Sequence, residues 1–255
     1  MLPDRVSVLT LNLWKDNRWA DRAPSVRAFL DHADPDIAAF QELRPQTRDH
    51  LDEVLGGHAR VTGELPGWST EGNVYWRESS FRALDHGAIE VGILEEDRRL
   101  FWVRLVPRDN SRSADRSVLV CTAHFTYAGN DREVETGQSP RVDQARQTVD
   151  ALAALGNPGE PVLFMGDLND AVHPTRILAA AGYTDCFSEL GVPVRPTFPA
   201  WPTKDDADAV VEMPLDWLVA NEHATSRAAM VPEFFHDGVA PSDHWPVLAM
   251  YELWT

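Results

Sequence analysis

Pro161-Val162-Leu163-Phe164-Met165-Gly166-Asp167-Leu168-Asn169-Asp170 is the most telling stretch of this chain. An apolar run that closes on glycine has the length and composition of a fully buried strand. Gly166 lets the backbone turn sharply at the strand's end. Asp167 and Asn169 then stand at the carboxyl edge of a sheet, where open α/β sheets place their ligands. A carboxylate and an amide separated by one residue suit phosphate or metal chemistry. The same two residue types also serve as ordinary turn formers, so the rest of the chain has to decide.

Working outward, Ser117 to His124 is another apolar strand with a polar end. Residues 5–14 form a strand that alternates and then becomes wholly apolar, and residues 37–41 form one that ends at Glu42. Residues 214–220 carry Asp216 inside an apolar run, and Ser242-Asp243-His244 precedes a last strand over 245–253. Helical patterns cover 24–30, 45–55, 141–155 and 174–181, the third with Val142, Ala145, Val149 and Leu152 at helix spacing. Short strands over 74–76, 81–84, 88–93 and 100–106 make a meander. Residues 126–140 and 195–208 have loop composition. Two rounds of strands and helices predict one domain over residues 1–255, with two sheets covered by helices.

Composition narrows the options. The 255 residues are 44% hydrophobic and 25% charged, as in ordinary globular chains. No apolar run is long enough to span a bilayer. A strand pattern follows directly on Met1-Leu2-Pro3-Asp4, with no secretory signal, which predicts a cytoplasmic location. Cys121 and Cys186 lie in apolar contexts, as buried free thiols do. The formal net charge of −17 opposes diffuse attraction to nucleic acid or anionic membranes. Part of that excess is expected to be site carboxylate, neutralised by a divalent cation. No protein partner can be inferred. Trp14, Trp19, Trp68, Trp76 and Trp201 fall near loops or strand ends, where stacking on a base or sugar competes with core packing.

Asn12, Glu42, His124, Asp167 with Asn169, and Asp243-His244 all stand at strand ends, where an apolar residue would be the default. Asp216 lies within a strand, where a charge is costly unless paired. Their recurrence predicts one rim on which they converge. In order along the chain, Thr10-Leu11-Asn12, Gln41-Glu42, Thr122-Ala123-His124, Gly166-Asp167-Leu168-Asn169, Leu215-Asp216-Trp217 and Ser242-Asp243-His244 resemble the motifs of the endonuclease/exonuclease/phosphatase superfamily. The segments Arg141-x-x-Gln144, Gly182-Tyr183-Thr184-Asp185 and Pro196-Thr197-Phe198 also resemble family positions. The resemblance implies a four-layer α/β sandwich, with two mostly antiparallel β-sheets packed face to face and flanked by helices.

It also implies roles. Glu42 resembles the family's metal-binding glutamate, with Asn12 and Asp243 beside it. Oxygen donors of this kind suit magnesium, or manganese, which retain several waters. Asp167 resembles the residue that orients or deprotonates the attacking water, and Asn169 the one that fixes it. His244 would donate to a phosphate oxygen, with Asp216 holding its ring and raising its pKa. His124 resembles the second histidine, with Glu71 as its expected partner. Arg141 and Glu71 are the candidate substrate contacts. Against these stand plainer roles: a surface Glu42, a strand-end Asn12 satisfied by backbone, a structural His124. Zinc would need a Cys/His spacing or His-Glu-x-x-His, and neither is present. There is no Gly-x-Ser-x-Gly elbow and no Gly-x-x-x-x-Gly-Lys phosphate loop.

The implied activity is metal-dependent hydrolysis of a phosphate ester by in-line attack of an activated water. The 127–140 loop carries Asp131, Glu133 and Glu135 against a single Arg132, and would repel a long duplex. A small or short phosphorylated substrate is therefore expected. The alternatives are a nuclease acting on single-stranded DNA or RNA, and a catalytically silent binding module on the same fold.

Overall fold

The computed structural model describes residues 5–108, 116–200 and 211–255. Trp201 and most of the 195–208 loop lie outside the described residues. Among the described residues, twelve strands fall into two sheets of six. They are β1 (Arg5–Asn12), β2 (Ile37–Gln41), β3 (His58–Arg60), β4 (Gly72–Arg77), β5 (Phe81–Ile89), β6 (Leu100–Pro107), β7 (Val118–His124), β8 (Val162–Asp167), β9 (Thr184–Asp185), β10 (Asp216–Ala220), β11 (Ala224–Met230) and β12 (Val247–Leu253). One sheet runs β11-β12-β1-β2-β4-β3, the other β5-β6-β7-β8-β10-β9. Pairing is antiparallel except at β1–β2 and β7–β8, one parallel pair at the centre of each sheet.

The alternation of side chains along a strand assigns each residue to a layer. Val6, Val8, Ile37, Ala39, Val120, Leu163, Met165, Leu218 and Val247 share the core between the sheets. Leu9, Leu11, Ala38 and Phe40 turn outward against α1 (Trp19–Ala33) and α2 (Pro45–Val54), meeting Val26, Phe29, Leu30 and Leu51. Leu119, Cys121, Phe164 and Val219 turn outward against α5 (Pro140–Leu155) and α6 (His173–Ala180), meeting Ala145, Leu152 and Leu178. The result is four layers: helices, sheet, sheet, helices. Three shorter helices, α3 (Gly67–Thr70), α4 (Asp131–Thr136) and α7 (Cys186–Leu190), sit in the connections. No helix among the described residues is long and apolar enough to cross a membrane. Both cysteines are free and buried.

Several local expectations change. The strands expected over 81–84 and 88–93 merge into one, β5, which ends at Ile89 and carries a register shift between its own Ala83 and Asp85 where it pairs with β6. The 126–140 loop contains α4, whose first turn is capped by the Asn130 side chain accepting from the Glu133 amide. α1 begins at Trp19, a turn and more before Pro24. Its extra turn is fixed by the fully buried Arg22, which donates to the carbonyls of Leu13, Asn17 and Pro241. Trp19, Trp68 and Trp76 are core residues, while Trp14 lies against the Arg22 guanidinium, 5.1 Å from its ring centre.

Candidate active site

The inner faces of β1, β2, β7, β8 and β10 are apolar over most of their length and polar at one end. On β1, Val6 and Val8 give way to Thr10 and Asn12; on β7, Val118 and Val120 give way to Thr122 and His124. Asp167 ends β8, and Asp216 begins the antiparallel β10 directly opposite it. The site is thus a continuation of the inter-sheet core, with the amino-acid type changed. Beneath it lies a buried polar layer. Gln41 donates to Thr122 Oγ1 across the sheets at 2.9 Å and to Thr10 Oγ1 at 3.1 Å. These bonds satisfy groups that would otherwise be costly to bury.

Gly166 is required by this geometry. Its φ is +149°, and a β-carbon there would lie 2.0 Å from the Ala123 carbonyl oxygen on β7. The close approach sets His124 opposite Asp167 in register. After the strand, Asn169 takes φ +49°, a left-handed conformation that asparagine tolerates. Its backbone N–H donates to Asp167 Oδ1 at 2.9 Å, and its amide donates to the Phe125 carbonyl. Glu42, with φ +55°, is a less accommodating residue in the same region, and that conformation costs about 1 kcal/mol.

Asp167 is the hub. Its Oδ2 accepts from Asn12 Nδ2 at 2.9 Å and lies 3.2 Å from His124 Nε2 and 3.8 Å from His244 Nε2. Burial opposes ionisation of Asp167, but the two imidazoles and the Asn12 amide outweigh it and hold the carboxyl well below the usual range. His244 Nδ1 lies 2.7 Å from Asp216 Oδ2. Burial disfavours its charge, yet Asp216 and Asp167 more than compensate, and the imidazole is held protonated well above its ordinary value. Asp216 is also pushed upward, by burial and by the neighbouring Asp167, so the pair keeps a firm grip on its proton. The Phe198 ring packs on His244 at 4.9 Å.

Glu42 lies on the other side of His124, with Oε1 3.9 Å from its Nδ1. Asp243 is buried, and burial together with the Glu42 charge pushes its carboxyl up to about 6. Glu42 and Asp243, near enough to sense each other's charge, offer a hard oxygen donor set, with the Ser242 hydroxyl between Asp243 and the Asn12 carbonyl. That fits a divalent cation such as magnesium. Asp167, Asp216 and His244 also bring three possible ligand atoms within 4.8 Å of one another. There, however, His244 Nδ1 is already committed to Asp216, which suits proton handling better than ion binding.

The structure thus brings together Asn12, Glu42, His124, Asp167, Asn169, Asp216, Asp243 and His244. The two expected substrate contacts are otherwise engaged. Arg141 is buried and donates to Glu133 at 2.7 Å and to the Thr126 carbonyl, with Nε 3.7 Å from Asp170. Glu71 does not partner His124, whose polar neighbours are Glu42 and Asp167. It accepts instead from Arg98 at 2.9 Å and Arg44 at 3.2 Å. Arg98 and Glu95, which the sequence did not single out, complete this side of the site. Arg98 is buried, 3.6 Å from Glu42 and 3.8 Å from Glu95.

Comparison with known proteins agrees with this fold. Solved structures of similar fold include Danio rerio TDP2 complexed with a single-strand DNA product, 19% identical, covering 97% of this chain and 98% of that one, TM-score 0.76. A mannosyl-6-phosphatase from Bacteroides thetaiotaomicron is 17% identical over 96% of this chain and 99% of its own, TM-score 0.78. An endonuclease/exonuclease/phosphatase family protein from the same organism is 18% identical over 98% of each chain, TM-score 0.78. No curated protein matches the chain significantly. The family model for the Endonuclease/Exonuclease/phosphatase family matches residues 9–244, from the strand before Asn12 to His244 itself, and the chain therefore belongs to that family.

Proposed function

We propose that the chain hydrolyses a phosphate ester in a divalent-metal-dependent reaction, most readily on a small or short phosphorylated substrate. The observation that carries this is Asp167 held ionised between His124 and His244, with the carboxylate of Glu42 on the other side of His124 and that of Asp243 within reach of its charge. Glu42, Asp243 and Asn12 would hold magnesium or manganese. Such an ion supplies charge neutralisation at the phosphate, lowering the barrier to attack by an anion or water.

The remaining work falls to side chains. Asp167, fixed by Asn12 and the Asn169 N–H, accepts a hydrogen bond from water and aligns it for in-line attack. Its depressed pKa makes it a better aligner than proton sink. His244, kept protonated by Asp216, donates to a phosphate oxygen as negative charge builds there. His124 faces the same carboxylate from the adjacent strand β7 and restricts where the water can sit.

The acidic rim favours a compact substrate over a duplex. Glu133 is turned to Arg141, and Asp131 and Glu135 share its helix. Single-stranded nucleic acid is the second reading, favoured by the fold shared with the TDP2–DNA complex. Turnover of sugar phosphates, aryl phosphomonoesters, aryl phosphodiesters and short oligonucleotides, each with and without Mg²⁺ or Mn²⁺, tests both. Metal-dependent release from monoesters or small diesters supports the proposal. Release from oligonucleotides alone supports the second reading, and no turnover of any substrate with metal present would leave a silent binding module.

A further inference from the structure

Beside Glu42 the charges are unusually arranged. Arg98 is buried and reaches three carboxylates: Glu71 at 2.9 Å, Glu42 at 3.6 Å and Glu95 at 3.8 Å. Glu71 is shared with Arg44. Glu95 accepts from the Thr126 hydroxyl at 2.8 Å and from the Tyr127 N–H. Two guanidiniums thus face three carboxylates and leave one negative charge over, on the side of Glu42. Asp243, which senses Glu42 electrostatically, adds a second, offset in part by the buried Arg22, which senses both carboxylates. On the far side of His124, Asp167 and Asp216 face the two imidazoles. A deficit of at most two charges has room for one divalent ion and not for two. The carboxylates that could hold another, Glu71 and Glu95, are already taken by Arg98, Arg44 and the Thr126–Tyr127 backbone turn.

We propose that Arg98 is a built-in cation that confines this site to a single divalent ion. The proposal rests on the reading that Glu42 and Asp243 hold that ion. It also explains a division of labour. With one ion, no second cation stands ready for charge on the departing oxygen, and that charge falls to protonated His244 and its Asp216 partner. Arg98 acts through Glu42 and is a positioning residue; it need not touch substrate.

Titration of the intact chain with Mn²⁺, by calorimetry and by the paramagnetic resonance of free Mn²⁺, counts the ions without requiring turnover. Wild type should take one equivalent. Glu42→Gln should take none; binding at wild-type strength would reject the underlying reading and leave Arg98 a separate matter. Arg98→Gln should take a second equivalent and bind the first about tenfold tighter, because a like charge a few ångströms away has gone. Arg98→Lys, which keeps the charge, should take one, and Arg98→Gln with Glu95→Gln should return to one. Two equivalents in wild type, or one at unchanged affinity in folded Arg98→Gln, overturns the proposal. If Arg98→Gln does not fold, the wild-type count and Arg98→Lys decide: a tenfold affinity change in Arg98→Lys also overturns it.

Discussion

β7 and β8 begin at one buried ionic cluster and end at another, and the two clusters differ in kind. At the start, Glu160 is fully used. Oε1 accepts from Arg104 Nε at 2.8 Å and from the Ser117 hydroxyl; Oε2 accepts from Arg104 Nη2 at 3.2 Å and from the Asn157 N–H at 3.0 Å. Arg104 also donates to the Leu155 carbonyl. At the other end, Asp216 Oδ1 and His124 Nδ1 are buried without a hydrogen-bond partner among the described residues, and Asp243 is pushed up to about 6. A saturated cluster holds the strands together. An unsaturated one keeps valence in reserve for something the protein must bind.

Four experiments can break or sharpen that contrast. The largest effect belongs to the open end. Asp167→Asn and His244→Gln should each lower kcat/KM by about 10³ or more, with the circular dichroism spectrum unchanged. Near-normal rates in both would erase the distinction between the two ends. Next is the hinge between them. Gly166→Ala forces a β-carbon into the Ala123 carbonyl and should cost at least about 3 kcal/mol in chemical denaturation. A stable, active alanine variant would show that β7 and β8 can separate freely.

The closed end should behave in the opposite way to the open one. Glu160→Ala strands the Arg104 charge and should cost about 3 kcal/mol of stability while activity per folded molecule stays at the wild-type level. The pH dependence has a definite sign. Burial opposes the Glu160 charge, but Arg104, Ser117 and the Asn157 N–H outweigh it and depress its pKa. Its contribution is therefore complete above the ordinary glutamate range and shrinks as pH falls through the depressed value. A gap between wild type and variant that widens in acid would contradict this. The smallest effect is a shift of profile. Asp216→Asn removes what holds the His244 proton, so the alkaline limb of kcat/KM should move to lower pH by about one unit. An unmoved limb would mean that another group sets it.

Much of the candidate site was legible because its residues break local rules. A polar residue closing an apolar strand is visible at Asn12, His124 and Asp167 without any tertiary information, and period two assigns each to the same face as apolar residues before it: Val6 and Val8, Val118 and Val120, Leu163 and Met165. Other features needed partners far away in sequence. Arg98, in Glu95-Glu96-Asp97-Arg98-Arg99, has the appearance of a solvated turn. Only the approach of Glu42 and Glu71 buries it, and that approach also explains why Glu71 is unavailable to His124. β11, Ala-Thr-Ser-Arg-Ala-Ala-Met, has little strand propensity and exists because β12 offers it an edge. α4 was hidden by its acidity, since a short helix held by an asparagine cap has no apolar face to betray it.

The alternation along β7 has an evolutionary corollary. Removing one residue between Val118 and Thr122 would swing His124 round to the helix-covered side and put Ala123 in the place of Thr122 in the buried polar layer. Length changes within these strands are survivable only in pairs, whereas the connecting loops can gain or lose any number. Diversification of this architecture is thus channelled into its loops, around a frame whose reading phase is locked.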